Sequence, residues 1–213
     1  MARDQRKRQQ VLQRNAAKRK QKQHSPAHSS AGAPRASLPS AGSWPIHECL
    51  VSRDWEKEGE IVQIIVARRS PLDQIAAALF LVDPACLGVK DAFVRLLSPV
   101  EYEQELRPGA TARQRMTSID LNLAAKILRD CIAYAHGLGF SPHPDYAQAA
   151  QMLDGADPDA AKQRVPVGGK DGKPYFIAGP HDNVARILAQ LDKAVGPGNF
   201  QYTVPIGPGA LPF

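Results

Sequence analysis

The sequence predicts an α+β fold, in which an antiparallel β-meander is followed by helices and then by a C-terminal β-β-α-β unit. Three observations lead to this prediction. Runs rich in β-branched residues are concentrated between residues 46 and 82, helix-capping patterns dominate the middle of the chain, and a glycine-rich turn precedes a last helix and strand. A chain of 213 residues is long enough for one folded domain with a substantial core.

The meander is predicted from three apolar runs that are joined by short connections. The runs cover residues 46–51, 60–68 and 75–82. The second run contains five Ile and Val residues, a concentration that favours a buried strand. Because the connections are short, we expect neighbouring strands to pair antiparallel.

Two helices are predicted directly after the meander. The first covers residues 88–97, where four apolar residues occur at helical spacing: Val89, Phe93, Leu96 and Leu97. The second begins at the string SPVE (98–101), which has the pattern of a capping box with Pro at the first helical position.

A long helix is predicted next, ending near residue 136. Thr117 and Asp120 repeat the capping pattern before it, and Gly137 and Gly139 follow its end. Its apolar face comprises four residues at helical spacing: Leu123, Ile127, Cys131 and Ala135. A shorter helix is predicted over residues 144–153.

The C-terminal unit is predicted from its turn chemistry. Residues 165–167 and 175–177 are predicted to form a hairpin around the tip GGKDG (168–172). Asp182 is predicted to cap a helix that ends near residue 195, and residues 200–206 are predicted to form a last strand. The segment 207–213 is predicted to be an irregular tail.

The surplus positive charge of the chain lies in its first 24 residues. They contain nine of the 27 Lys and Arg residues but one of the 21 Asp and Glu residues, so the remaining 18 cations and 20 acids make the rest nearly neutral. We predict a disordered basic arm over residues 1–24, a flexible linker over 25–43 and a globular domain over 44–206. The arm's candidate nucleic-acid-binding residues are Arg3, Arg6, Lys7, Arg8, Arg14, Lys18, Arg19, Lys20 and Lys22.

Composition argues against membrane and disulfide-rich classes. No stretch approaches the roughly 20 apolar residues of a membrane span, and no apolar segment follows the basic N-terminus as in a secretory signal. The three widely spaced cysteines are too few for a disulfide framework, so we expect reduced, buried thiols. We therefore expect a cytoplasmic protein without a membrane partner.

The string VDPACLGVKD (82–91) is the most unusual local pattern in the chain. If a strand ends at Asp83 and a helix follows, then Asp83, Lys90 and Asp91 lie near the helix N-terminus, where they can hold an anion or a divalent cation. The alternative is that Asp83 caps the turn, Cys86 fills the core, and Lys90 and Asp91 face solvent. We favour this structural interpretation.

Metal and nucleophile motifs are weak. His47 and Cys49 are expected on one face of a strand, where Asp83 and Cys86 would have to complete a metal site, but the paired ligands of a structural zinc site are missing from the sequence. No Gly-x-Ser-x-Gly nucleophile motif occurs. We expect no metal and no cofactor.

Two glycine-containing strings are candidate anion sites. GGKDGK (168–173) lacks the spacing of a phosphate-binding P-loop, so we interpret it as a turn. GPHD (179–182) precedes a predicted helix, whose free backbone N–H groups can bind an anion. We favour the alternative that Asp182 accepts these hydrogen bonds itself.

Three blocks carry a resemblance to other proteins. The blocks are WPIHECL (44–50), FLVDPACLGVKDAF (80–93) and YFIAGPHD (175–182). Together with the Lys/Arg-rich leader, they resemble an uncharacterised family of bacterial proteins. The resemblance covers residues 44–206 and implies a bacterial, cytoplasmic setting, but it implies no activity.

The sequence thus predicts a nucleic-acid- or ribosome-associated protein that uses its basic arm for phosphate contacts, with RNA preferred to DNA as partner. The alternative is a metal-dependent enzyme acting on nucleic acid or another phosphoester through Asp83 and Asp91. A third alternative is a solubilising tail without a defined partner. Whether the protein is an enzyme stays open at this stage.

Overall fold

The structure is a computed structural model that describes residues 41–112 and 114–204. The predicted arm (1–24), most of the predicted linker (25–43) and the predicted tail (207–213) lie outside these residues. Within them, a five-stranded antiparallel sheet is followed by helices and by a small C-terminal α/β unit, which confirms the α+β fold class.

The meander is confirmed and extended by one strand. Four consecutive strands pair antiparallel with their neighbours, and a short fifth strand adds to β1, giving the order β4-β3-β2-β1-β5. The central strand β2 is buried along nearly its whole length, as its Ile and Val content predicts. The strands are β1 (Ile46–Ser52), β2 (Val62–Arg69), β3 (Ile75–Asp83), β4 (Gly88–Leu97) and β5 (Met116–Ser118).

The predicted helix over residues 88–97 is wrong, because this segment forms β4. The apolar residues of the predicted helix do not share a face, since Val89 lies in the main core and Leu97 packs beside Tyr102. A β-bulge adds to the irregular pattern: Leu81 pairs with Asp91 while Val82 pairs with Val89, so that Lys90 is an extra residue. Val89 and Ala92, three residues apart, therefore face the same core, as they would on a helix.

Both faces of the sheet are covered, by helices of different size. The long helix α3 (Leu121–Gly137) packs on one face and encloses the main core. Its N-cap is Asp120, as predicted, whereas Thr117 lies in β5. The four predicted apolar residues of α3 are all buried, and they are Leu123, Ile127, Cys131 and Ala135.

The second face is covered by the helical segment that begins at the predicted capping box. The Ser98 hydroxyl accepts from the Glu101 backbone N–H, and the Glu101 carboxylate accepts from the Ser98 backbone N–H. A π-helical segment interrupts this helix and places Tyr102, which is fully buried, against the sheet. The segment comprises α1 (Pro99–Glu101), the π-helical residues Tyr102–Leu106 and α2 (Arg107–Thr111).

The C-terminal unit contains a β-α-β arrangement. β6 (Tyr175–Ile177) pairs in parallel with β7 (Gln201–Thr203), and helix α5 (Val184–Val195) connects them. Residues 165–167, predicted as a further strand pairing with 175–177, are not in a strand. The backbone N–H groups of Gly168 and Tyr175 instead bond to the turn after β3, on Pro84 O and Ala85 O.

The described fold begins before Trp44, inside the predicted linker. Ala41 and Gly42 are buried in a short 3₁₀-helix. A Cβ on Gly42 would lie 2.4 Å from the backbone oxygen of Gln151, so any larger residue here would have to displace the backbone. Gly42 packs against the segment formed by helix α4 (Tyr146–Ala149) and the 3₁₀-helix Ala150–Leu153, which matches the predicted helix over 144–153.

Candidate functional site

The structure joins two of the strings that the sequence singled out. Lys90 on β4 donates from Nζ to Asp182 Oδ2 at 2.7 Å, although the two residues are 92 positions apart. Both side chains lie largely out of water, at 16 % and 14 % exposed. The prediction that Lys90 faces solvent is therefore wrong.

Asp182 is held by the backbone as well as by Lys90. Its Oδ2 accepts from the Gly179 backbone N–H at 2.8 Å. The N-cap of α5 is the next residue, Asn183, whose side chain accepts from the Arg186 backbone N–H. The prediction that Asp182 caps this helix is wrong, but the expectation that it would satisfy a local backbone donor itself is confirmed.

Asp83 caps the turn after β3. Its Oδ1 accepts from the backbone N–H groups of Ala85 at 3.0 Å and Cys86 at 3.1 Å. Asp83 is 4 % exposed, and this burial raises the pKa of its carboxyl to about 6, although the positive charge of Lys90 opposes the shift. The structural interpretation of Asp83 and Cys86 is confirmed.

Asp83 and Asp91 do not converge on one site. Asp91 is exposed on β4, where its Oδ1 lies 3.9 Å from His143 Nδ1. In residues 41–112 and 114–204, no group of three or more His, Cys, Asp and Glu side chains is placed to hold a metal ion. Asp83 and Asp91, the two carboxylates of the enzymatic alternative, therefore do not form a common metal site in these residues.

The three cysteines are poor nucleophiles. All are free and buried, as predicted. Burial raises the pKa of Cys49 and Cys131 to about 12, and it also raises the pKa of Cys86. At neutral pH these thiols are protonated and shielded, which leaves them a packing role.

A second polar cluster, missed from the sequence, lies at the start of β1. A β-bulge at His47 interrupts the pairing with β2, since Ile46 pairs with Arg68 and Glu48 with Ala67. Glu48 accepts hydrogen bonds from the Tyr102 hydroxyl and, at 2.9 Å, from Arg107 Nε.

The same bulge separates the two residues of the predicted metal pair. The His47 ring lies edge-on to Tyr102, with ring centroids 5.6 Å apart, on the face covered by α1 and α2. Cys49 points into the core on the other face. The prediction that His47 and Cys49 share a face is therefore wrong, and a bulge of this kind has no signal in one sequence.

The glycine-rich string 168–173 forms a tight turn, as interpreted from the sequence. Residues Lys170–Gly172 make one 3₁₀ turn, and Gly169 N donates to Lys173 O at 2.6 Å. The Tyr134 hydroxyl on α3 donates to Gly172 O at 3.0 Å. Hydrogen bonds within the protein therefore hold this turn in place and use the backbone N–H of Gly169 and the backbone oxygen of Gly172.

Comparison with known proteins does not assign the chain to a family. No family model, curated protein or solved structure matches this chain. The resemblance to an uncharacterised bacterial family therefore stays a prediction. No helix within the described ranges is long and apolar enough to cross a membrane.

The nine basic residues of the predicted arm, Arg3 to Lys22, lie outside the described residues.

Within the described part, the buried Lys90–Asp182–Asp83 cluster joins the C-terminal unit to the sheet. It contains neither a reactive thiol nor a set of metal ligands. We interpret this cluster as structural.

Proposed function

We propose that this protein binds nucleic acid, RNA in preference to DNA, or associates with the ribosome through phosphate contacts made by its basic arm. The proposed setting is the bacterial cytoplasm. One observation carries the proposal: residues 1–24 hold nine cations and one acid, whereas the other 189 residues hold 18 cations and 20 acids. A charge distribution of this kind concentrates the attraction for a polyanion in one short segment.

The physical basis of binding is counterion release. Each Lys or Arg that meets a phosphate frees a condensed cation, so affinity depends steeply on salt concentration. Contacts of this kind fix affinity and carry little sequence information. The arm therefore suits a partner that is recognised as a polyanion, such as the phosphate-rich surface of RNA.

The enzymatic alternative receives no support from the described residues. Asp83 caps a turn, Asp91 faces solvent, and the two do not belong to a common set of metal ligands. Metal-assisted phosphoryl transfer needs convergent carboxylates. We therefore retain binding as the proposed function.

The test compares two matched variants of the full chain. The arm variant replaces Lys18, Arg19, Lys20 and Lys22 with Gln, and the body variant replaces Lys162, Arg164, Lys170 and Lys173 with Gln. All four residues of the second set are exposed, so both variants lose four positive charges.

We expect the wild type and the body variant to purify with bound nucleic acid, seen as a high 260/280 nm absorbance ratio that a high-salt wash lowers. The arm variant should retain less nucleic acid before the wash. Equal retention by the two variants, or a wild type that binds no RNA or DNA at any salt concentration, contradicts the proposal and leaves the arm as a solubilising tail.

A further inference from the structure

A basic cavity lies beside helix α5, and none of the residues that line it belongs to the two polar clusters described above. It has a volume of about 340 Å³ and lies between α5 and the loop that follows α3. Its walls include two cations, one amide and one aromatic ring, namely Arg186, Lys193, Gln190 and Phe140.

The cations of the cavity share one stripe of α5. Arg186, Gln190 and Lys193 follow one another at intervals of four and three residues, which brings them onto the same helix face. The apolar residues Ile187, Leu188 and Leu191 pack on the opposite side, into the core of the C-terminal unit. The only acid of the helix, Asp192, lies about 100° around the axis from Lys193.

Neither cation has a carboxylate partner among the described residues. The ion pairs present there involve other cations, such as Lys90, Lys126 and Arg129. The charges of Arg186 and Lys193 are thus available to an anion.

Gln190, on the same stripe of α5 as the cations, is hydrogen-bonded to the loop that carries Gly139 on the other side of the cavity. Gln190 Nε2 donates to Leu138 O at 2.9 Å, which orients its amide and leaves Oε1 as an acceptor. Gly139 has a positive φ of 82°, and a Cβ at this position would lie 2.2 Å from Gln190 Nε2. This side of the cavity therefore depends on a glycine that a larger residue cannot replace without displacing Gln190.

Phe140 gives the cavity an aromatic surface. Its ring is half-buried, packed in part against the core of the C-terminal unit. A base of a single-stranded nucleic acid stacks on such a ring, and the neighbouring cations can contact its phosphates. Along α5, Arg186 and Lys193 are separated by about 10 Å, a span that two long, flexible side chains can shorten to meet adjacent phosphates.

From this arrangement we infer that the cavity is a second binding site for single-stranded RNA, in which Phe140 stacks one base, Arg186 and Lys193 contact the flanking phosphates, and Gln190 Oε1 accepts from an amino group of the base. The choice of ligand rests on the proposed function of the basic arm. The site adds a contact with the base to the non-specific attraction of the arm.

The experiment measures the affinity of the full chain for a fluorescent 12-mer of oligo(A), whose bases carry amino groups, by anisotropy. The cavity variant is Arg186→Gln/Lys193→Gln, and its matched control is Lys162→Gln/Arg164→Gln, which removes two exposed charges that do not line the cavity. We expect the cavity variant to bind at least about fivefold more weakly and to lower the slope of log affinity against log salt by about 1.4. The control should stay within about twofold of the wild type.

A third variant, Phe140→Leu, tests stacking separately from charge. It should weaken binding of oligo(A) by about fivefold or more, while binding of an abasic ribose-phosphate 12-mer stays unchanged. Thermal unfolding of each variant checks that the fold is retained.

The outcomes separate this inference from the proposed function. If the arm variant loses affinity while the cavity variant and Phe140→Leu match the wild type, the cavity site is wrong and the proposed function stands. If the cavity variant and its control lose affinity equally, the effect is one of general charge, and the cavity site is again wrong. If the wild type binds neither oligomer, both proposals fail.

Discussion

At the residue scale, the Lys90–Asp182 ion pair connects the sheet to the segment before α5. Both partners are largely buried, so each depends on the other for compensation of its charge. Removing one partner leaves the other with an uncompensated charge out of water, whereas removing both leaves no unpaired charge within the pair. The pair therefore predicts a strong energetic coupling.

We expect Lys90→Met to lower the free energy of unfolding by about 3 kcal/mol, because Asp182 is then buried without its cation. The double variant Lys90→Met/Asp182→Asn should be less destabilised than the sum of the two single variants, by 1 kcal/mol or more. Urea unfolding of the four proteins measures this difference. Lys57→Met, which breaks an exposed pair with Asp54, serves as control and should cost less than about 1 kcal/mol.

Asp83 predicts a pH dependence of stability with a defined sign. Its folded pKa of about 6 lies above the ordinary aspartate value of 3.8, so the folded state holds the proton more tightly than the unfolded state does. This contribution to stability is present below about pH 4 and is lost as the pH rises to about 6.

The variant Asp83→Asn removes this titration and keeps an acceptor oxygen for the Ala85 and Cys86 N–H groups. The stability of the wild type relative to this variant should fall between pH 4 and pH 6, by up to roughly 3 kcal/mol, and should be constant above pH 7. Unfolding curves of both proteins over this range provide the measurement. A difference that does not vary with pH contradicts the assignment.

Residue contacts of this kind were only partly predictable. The capping role of Asp83 follows from a local pattern and was predicted. The pairing of Lys90 with Asp182 depends on a bulge in β4 and on the position of the C-terminal unit. Neither of these features has a recognisable pattern in the neighbouring residues of the sequence. The same holds for Glu48, Tyr102 and Arg107, which meet because of a bulge and a π-helical segment.

At the scale of elements, the sequence predicted those with a clear local signal. The buried strands β2 and β3 and the capped helices α1 and α3 match their predicted positions. β4 was misassigned because it has apolar residues on both faces and a bulge at its start, so its sequence lacks a clear alternation of buried and exposed residues. Both strands of the parallel pair were predicted, β6 at 175–177 and β7 within 200–206, but their pairing was not, because the two partners lie far apart in the chain.

Two glycines give opposite predictions for the same substitution. Gly42→Ala should destabilise the protein by more than 1 kcal/mol, because the new Cβ would overlap the Gln151 backbone oxygen and the Asp154 carboxylate. Gly109→Ala, in α2 with open space around it, should stabilise by up to about 1 kcal/mol.

Thermal unfolding of the two glycine variants measures these effects. A Gly42→Ala protein as stable as the wild type would mean that residues 41–43 do not pack against the segment 146–153, and that the globular domain begins later than the structure indicates.

At the scale of the whole molecule, charge is divided unequally along the chain. The cations of the body are balanced by its acids, and several are engaged in ion pairs, including Lys126 with Asp130 and Arg129 with Asp159. The surplus charge belongs to residues 1–24. This unequal distribution of charge could be predicted from the sequence alone, because counting charges along the chain does not require the fold. It is the basis of the proposed function.

The salt dependence of RNA binding tests this central claim most directly. The measurement compares the wild type with a full-length variant in which all nine Lys and Arg of residues 1–24 are replaced with Gln. If every cation of the arm meets a phosphate of single-stranded RNA, the arm contributes about −6 to the slope of log affinity against log salt, and the variant loses that contribution. Equal slopes for the two proteins would contradict the claim that the arm binds the polyanion.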